Sequence, residues 1–124
     1  EISCSLVGSE MCIRDSSLLD NIQGFGIVLG RVRAYKTTFR YSHLEESYFN
    51  SAFMKHADLS GANLESSNFS HAKLDFARLD DAKLSGSNFL SSSLEFASFE
   101  NANLSRCNFR DTIKAKTRSK PKNV

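Results

Sequence analysis

The chain has 124 residues, 40% of them hydrophobic, and a formal net charge of +2. This length allows one modest domain, and the hydrophobic content argues against a wholly disordered chain. The sequence has no run of about eighteen apolar residues and so predicts no membrane-spanning helix.

Residues 1–16, EISCSLVGSEMCIRDS, differ in character from the rest of the chain. They resemble a translated sequencing-adapter scar. They are too polar for the apolar region of a secretory signal, because Gly8, Ser9 and Glu10 interrupt them. Since the chain also starts with Glu1, we expect a fragment of a longer reading frame in which residues 1–16 are an adapter-derived or disordered leader.

Residues 17–36 are apolar but do not show the regular spacing of the residues that follow them. Phe25, Ile27, Val28, Leu29 and Val32 are compatible with a short strand or helix. We therefore predict an N-terminal capping segment that covers the end of the repeat region. The alternative is the remnant of an upstream domain.

A five-residue period organises residues 37–111. Only Thr, Ser, Ala or Cys lies two positions before each large apolar residue of the series. A helix would spread this period around its circumference, because five residues turn it by about 500°. A plain strand would place alternate repeats on opposite faces. A chain that turns a corner every five residues can bury all of the large residues, which are Phe39, Leu44, Phe49, Met54, Leu59, Leu64, Phe69, Leu74, Leu79, Leu84, Phe89, Leu94, Phe99, Leu104 and Phe109.

Three pentapeptides carry a family resemblance: ADLSG at 57–61, ANLES at 62–66 and ANLSR at 102–106. They closely match A(D/N)LXX, and residues 37–111 therefore resemble the pentapeptide-repeat family. The resemblance implies an all-β fold, a right-handed quadrilateral β-helix with four pentapeptides per coil and about four coils.

The sequence offers its own test of four pentapeptides per coil, because positions twenty apart should then share an environment. One such series is Phe at every position and another is Leu, namely Phe49, Phe69, Phe89 and Phe109, and Leu44, Leu64, Leu84 and Leu104. We expect each series to lie in single file. Asn68, Asn88 and Asn108 form an outward series, which we interpret as hydrogen-bonding elements of the stack.

The repeat pattern weakens after residue 111. Thr112 keeps the small position, but Lys114 takes the inward one, where a buried charge is unfavourable. Residues 112–124 contain five basic residues and predict a basic disordered tail. We expect nucleic acid to bind only weakly, through this tail.

The outward positions contain a candidate partner surface. Three pairs of acids lie twenty apart, Glu45 with Glu65, Asp75 with Glu95 and Asp80 with Glu100, and like charges on adjacent strands lower stability. Phe76 and Phe96 share one outward corner. The candidate residues are Asp75, Asp80, Asp81, Glu95, Glu100, Phe76 and Phe96. The alternative interpretation of the acids is an ordinary solvated face.

The family includes proteins that imitate duplex DNA and bind topoisomerases such as gyrase, so the resemblance implies this function as one alternative. B-DNA carries one charge per ~1.7 Å, and a body of about 18 Å would need roughly ten net negative charges. Residues 37–111 contain seven basic and ten acidic residues. The charge is therefore too low for good mimicry by a monomer.

No catalytic constellation is present in the sequence. His43, His56 and His71 fall on different sides of the predicted coil, and the three cysteines lack the spacing of a disulfide framework or a zinc site. We therefore expect no catalytic residues, no metal site and no cofactor, and a cytoplasmic location by default.

The sequence favours a non-catalytic protein-interaction or scaffold module with an unknown protein partner and, as one option, a homodimer. The first alternative is a DNA-mimicking gyrase-binding protein. The second is a repeat segment of a larger protein whose activity lies upstream.

Overall fold

The computed structural model describes residues 18–113, which form a four-sided β-helix of nearly five coils. Residues 18–37, 38–57, 58–77 and 78–97 form coils 1 to 4, and residues 98–113 form most of coil 5. Each side of a coil contributes a single bridge residue, and parallel bridges join it to the residue twenty positions later. Within residues 18–113 there is no α-helix and no longer strand.

Four outward faces run along the β-helix, and each is defined by its column of bridge residues. Face 1 consists of Leu18, Thr38, Asp58, Arg78 and Ser98. Face 2 consists of Gln23, His43, Asn63, Lys83 and Asn103. Face 3 consists of Val28, Tyr48, Asn68, Asn88 and Asn108. Face 4 consists of Arg33, Phe53, Lys73, Ser93 and Ile113. Neighbouring residues of a column are about 4.8 Å apart.

A tight turn separates consecutive faces. Every fifth residue from 21 to 111 has a φ between +56° and +75°. It is the third residue of a four-residue turn closed by a backbone hydrogen bond, such as Ile27 N to Gly24 O at 3.0 Å. A positive φ at this position is the mark of a type II turn. Most of these residues are not glycine, and inter-coil bonds such as Tyr41 N to Ser60 O at 3.0 Å hold them in place.

Backbone hydrogen bonds join each coil to the next in a fixed pattern. In coils 1 to 4, the N–H of the inward residue that follows each bridge residue donates to the carbonyl nineteen positions later, as in Phe69 N to Asn88 O at 2.6 Å. From His43 onward, the N–H of each bridge residue donates to the carbonyl twenty-one positions earlier, as in Asn68 N to Ser47 O at 2.9 Å. The ladder therefore fixes the twenty-residue register.

The core is a column of inward side chains. Fourteen of the fifteen residues of the large apolar series have exposures of 1% or less, and Phe109, in coil 5, is partly buried. The rings of Phe49, Phe69, Phe89 and Phe109 lie in single file, with centroid distances of 4.9, 5.0 and 5.0 Å and interplanar angles of 5° or less. Such stacked contacts contribute about 0.5–1.5 kcal/mol each beyond area burial.

Buried serines fit the small inward position because their hydroxyls are hydrogen-bonded. Ser67 Oγ donates to Leu44 O at 3.0 Å and accepts from Ser47 N at 3.2 Å. Ser87 Oγ donates to Leu64 O at 2.7 Å. Each hydroxyl thus bridges two coils, which avoids the penalty of an unpaired polar group in the core.

The structure corrects the predicted capping segment at 17–36. Residues 18–36 continue the register as coil 1, so the break expected before residue 37 does not occur, and the β-helix has one coil more than predicted. The reason is that, in two repeats of coil 1, the larger side chain occupies the first inward position and the smaller one the second. Gly24 and Ala34 occupy the position of Leu or Phe, and Ile22 and Val32, two residues earlier, supply the missing volume.

At the other end, Ile113 bridges Ser93, so the β-helix includes the first two residues of the predicted tail. The predicted leader at 1–16 and the rest of the predicted tail, including Lys114, lie outside the described residues.

Two glycines with positive φ allow a test of the turn geometry. A Cβ on Gly61 would lie 2.5 Å from the ring of Tyr41, whereas one on Gly26 would have no atom within 4 Å. We expect Gly26→Ala to lower the free energy of unfolding by about 1–2 kcal/mol through backbone strain alone. Gly61→Ala should lower it by about 0.5–1.5 kcal/mol more, because the Tyr41 ring must leave its rotamer to avoid the steric clash. Urea unfolding followed by circular dichroism measures both. Equal losses, or an excess loss that persists in a Tyr41→Ser background, would contradict this geometry.

Candidate functional site

The seven residues of the predicted partner surface lie in coils 3 to 5, along the two edges of face 1. One edge is the corner between faces 4 and 1, which carries Asp75, Phe76, Glu95 and Phe96. The other is the corner between faces 1 and 2, which carries Asp80, Asp81 and Glu100. The twenty-residue repeat therefore brings all seven to one side of the molecule.

The first edge is a column of stacked aromatic rings. Phe76 lies 5.0 Å from Phe96 and 4.8 Å from His56 between ring centroids, with both pairs within 10° of parallel. Tyr35 extends the column with an edge contact to His56 at 5.7 Å. Phe76 keeps 46% of its surface exposed. Because the turn backbone and the neighbouring rings hold it, this side chain is a rigid apolar group presented to solvent.

The acidic pairs are not free like charges facing each other. Asp75 is only 9% exposed, and its Oδ1 accepts hydrogen bonds from Ser93 Oγ at 2.5 Å and Glu95 N at 2.9 Å. Asp80 accepts in the same way from Ser98 Oγ and Glu100 N, at 2.5 and 2.9 Å. The lower carboxylate of each pair therefore binds the backbone of the coil above. This contact offsets the repulsion and gives Asp75 a structural role.

Arg78 lies between the two edges, in the bridge column of face 1. Its guanidinium is 3.5 Å from Asp80 and 3.9 Å from Asp58. Asp81 and Glu100 are exposed, and Glu95 is half-buried. The surface thus presents carboxylates on one edge, an ion-paired arginine in the centre and aromatic rings with one carboxylate on the other edge.

The outward asparagines form local turns and not a ladder between coils. The Oδ1 atoms of Asn68, Asn88 and Asn108 each accept a hydrogen bond from the backbone N–H two residues later, at 2.9, 2.9 and 3.0 Å. This is the geometry of an Asx turn. The series is therefore structural, as expected, although its bonds run within a coil.

The histidines are dispersed as the sequence predicts. His43 lies on face 2, His56 at the corner between faces 4 and 1, and His71 at the corner between faces 3 and 4. Within residues 18–113, no group of three His, Cys, Asp or Glu side chains could hold a metal ion. The same part of the chain contains no helix long and apolar enough to cross a membrane.

Sequence reasoning missed a group of basic residues. Arg33 and Lys73 flank Phe53 in the column of face 4, and Lys36 and Lys55 lie at the corner that follows it. Their signal is the twenty-residue spacing of Arg33, Phe53 and Lys73. Counting charges by segments of the chain concealed it, because these residues come from three different coils.

The model of the family described as pentapeptide repeats matches residues 29–65 and 72–111 in eight copies. The chain therefore belongs to the pentapeptide-repeat family, and its fold is the right-handed quadrilateral β-helix of that family. Members of this family are generally non-catalytic. None of the curated proteins matches the sequence.

Solved structures of pentapeptide-repeat proteins are similar to this chain. Rfr23 from the cyanobacterium Cyanothece 51142 is 18% identical, with 90% of this chain and 88% of that chain covered and a TM-score of 0.46. A trypsin-treated variant of QnrB1, a plasmid-mediated fluoroquinolone resistance protein, is 18% identical, with 78% and 56% covered and a TM-score of 0.53. A protein from the Arabidopsis thaliana thylakoid lumen is 25% identical, with 78% and 68% covered and a TM-score of 0.47. The likeness to QnrB1 shows the shared fold, and this chain spans 56% of its length.

The geometry of Cys107 predicts an unreactive thiol. Its Sγ donates to Leu84 O at 3.0 Å, and burial raises the pKa of the thiol to about 11. Since the thiolate is the reactive form, at pH 8 the folded protein should react with a disulfide reagent on the order of a hundredfold more slowly than the unfolded protein. The measurement uses a Cys4→Ser, Cys12→Ser background, so that only Cys107 is observed. Equal rates in the folded and urea-unfolded states would contradict this environment.

Proposed function

We propose that this chain is a non-catalytic protein-interaction or scaffold module whose partner binds the acidic-aromatic surface on face 1. We define this surface by Phe76, Glu95 and Phe96 on one edge and Asp80, Asp81 and Glu100 on the other. The observation that carries the proposal is the exposure of Phe76 on a rigid corner, stacked between His56 and Phe96. The cytoplasmic location expected from the sequence is part of this proposal.

A fixed aromatic group favours binding because little conformational entropy is lost when a partner covers it. Aromatic side chains are enriched at the centres of protein interfaces for this reason and for their large buried area. The acidic edge, with Asp81 and Glu100 exposed, adds a charge requirement. A protein with basic groups beside an apolar patch is therefore the complementary partner.

The test replaces Phe76 by Ser and uses Tyr41→Ser as the matched control. Both residues are exposed corner aromatics with a φ near +60°, but Tyr41 lies in coil 2, at the corner between faces 1 and 2. Sedimentation equilibrium measures self-association, and quantitative capture with the purified variants measures binding of other proteins. We expect Phe76→Ser to weaken the interaction at least tenfold, and Tyr41→Ser to preserve it, since truncation of an aromatic anchor at the centre of an interface costs about 2 kcal/mol or more. The idea fails if the protein is monomeric and no captured protein distinguishes the two variants.

The second candidate is a DNA-mimicking topoisomerase-binding protein, and the carboxylates along one edge of face 1 favour it. The net charge of the described residues argues against it. Nearly five coils at about 4.8 Å each give a body of about 23 Å, which would need about fourteen negative charges to match B-DNA. Residues 18–113 contain eleven acidic and ten basic residues. Mimicry would therefore depend on one edge alone.

A gyrase supercoiling assay separates the two candidates. If the first candidate is correct, the protein at a micromolar concentration should leave supercoiling by gyrase unchanged. The second candidate would replace the first if the protein inhibits supercoiling and the double variant Asp81→Asn, Glu100→Gln does not. In that case Lys83→Gln, on face 2, should still inhibit.

A further inference from the structure

Face 4 combines basic and aromatic side chains in one column. Parallel bridges place Phe53 directly between Arg33 below and Lys73 above, and all three side chains are exposed. Phe53 has 48% of its surface exposed. Its N–H donates to Val32 O at 2.8 Å, which fixes the backbone under the ring. An aromatic platform on a hydrogen-bonded backbone therefore lies between two cationic groups.

The corner beside this column repeats the combination. Tyr35 and Lys36 lie there in coil 1, and the Lys36 ammonium is 5.3 Å from the Tyr35 ring centroid. Lys55 follows at the same corner in coil 2. We call these residues together the basic-aromatic face: Arg33, Tyr35, Lys36, Phe53, Lys55 and Lys73.

The four basic residues of this face form no ion pair with their neighbours among residues 18–113. The ion pairs found among residues 18–113, such as Arg40–Asp20 and Arg78–Asp80, do not involve Arg33, Lys36, Lys55 or Lys73. Asp75 lies at the same corner, twenty residues after Lys55, and its negative charge offsets part of the positive charge, although its carboxylate is hydrogen-bonded to the backbone of the coil above.

Charge is segregated around the β-helix. Face 4 and its two corners carry six basic and three acidic residues, whereas the rest of residues 18–113 carries four basic and eight acidic ones. The basic-aromatic face is therefore a local cationic surface on a body whose other faces and corners, taken together, carry more acidic than basic residues.

We propose that the basic-aromatic face binds single-stranded nucleic acid, with unpaired bases stacked on Phe53 and Tyr35 and phosphates contacting the four basic residues. Proteins that bind single strands without sequence preference combine these two elements, aromatic platforms and a positively charged track. A duplex would satisfy the charge but not the rings, since its bases are already stacked on one another. The proposal is independent of the protein partner on face 1.

The dimensions suit a short stretch of strand. The column from Arg33 to Lys73 spans two coil steps, about 10 Å. A strand with the stacking of B-DNA rises about 3.4 Å per phosphate, and an unstacked single strand is longer per phosphate, so this column accommodates about three phosphates or fewer. Sequence reasoning expected nucleic acid to bind only weakly, through the tail, because charges were counted by segment of the chain and Arg33 and Lys36 were assigned to the capping segment.

The first arm of the test measures charge. Fluorescence anisotropy of a labelled ten-nucleotide oligothymidylate with the full chain, from 50 to 300 mM salt, gives affinity and its salt dependence. Four phosphate contacts predict a slope of log affinity against log salt of about −3. We expect Lys73→Gln to weaken binding and to make the slope shallower by about 0.7. Lys83→Gln, at the equivalent bridge position of face 2, should change neither.

The second arm measures stacking. Phe53→Ala should weaken binding about 5- to 150-fold while leaving the salt slope unchanged, since it removes a base platform and no charge. Tyr48→Ala is the matched control, because Tyr48 is also a bridge residue with 48% exposure but lies on face 3. It should bind like the parent chain. Thermal melting by circular dichroism checks that each variant folds.

Several outcomes would overturn the proposal. One is duplex DNA binding as tightly as the single strand. Another is full affinity of the Phe53→Ala variant. Binding would then depend on charge alone, and the basic residues between 114 and 124 could supply that charge. A third is competition by polyglutamate for the oligothymidylate site, if polyglutamate binding is weakened equally by Lys73→Gln and Phe53→Ala. The face would then be a site for an acidic protein. Absence of oligothymidylate binding at low salt would also end it.

Discussion

The twenty-residue register between coils is the constraint on which the rest of this molecule depends. Each inward side chain must pack on the one twenty residues away, and the same geometry lets the backbone N–H groups meet carbonyls of the next coil, as Phe69 N meets Asn88 O. Packing and hydrogen bonding thus select one register together. A slip of one residue would move Phe49, Phe69 and Phe89 out of their file and leave Ser67 without its partners. The core and the surface columns are consequences of the same alignment.

Much of this fold could be predicted from the sequence, because the inward positions carry a chemical identity that repeats. The single file of phenylalanines follows from spacing alone. Coil 1 was not predicted because the register there depends on the summed volume of the two inward side chains and not on the residue type at one position. Ile22 with Gly24 fills about the same space as a small residue followed by Leu, but the order of sizes is reversed. A pattern that requires a large residue at one fixed position cannot recognise this exchange, whereas the structure shows it directly.

The surface could be predicted only in part. Spacing correctly placed Phe76 and Phe96 at one corner, since columns follow from the register. The role of Asp75 could not be predicted in this way, because it depends on a carboxylate that turns toward Ser93 and the N–H of Glu95. The charges of face 4 were missed for a different reason. Arg33, Lys55 and Lys73 are far apart in the chain, and only a charge count made by column brings them together.

The corner between faces 4 and 1 shows how much freedom the register leaves to the surface. Aromatic rings continue along it from Tyr35 to Phe96. The residues beside them change from Lys36 and Lys55 in the lower coils to Asp75 and Glu95 in the upper ones. The core is unaffected by this change, because only two of every five residues point inward. A β-helix of this kind can therefore carry surfaces of opposite charge side by side, and their relative positions are fixed by the same backbone ladder that holds the core.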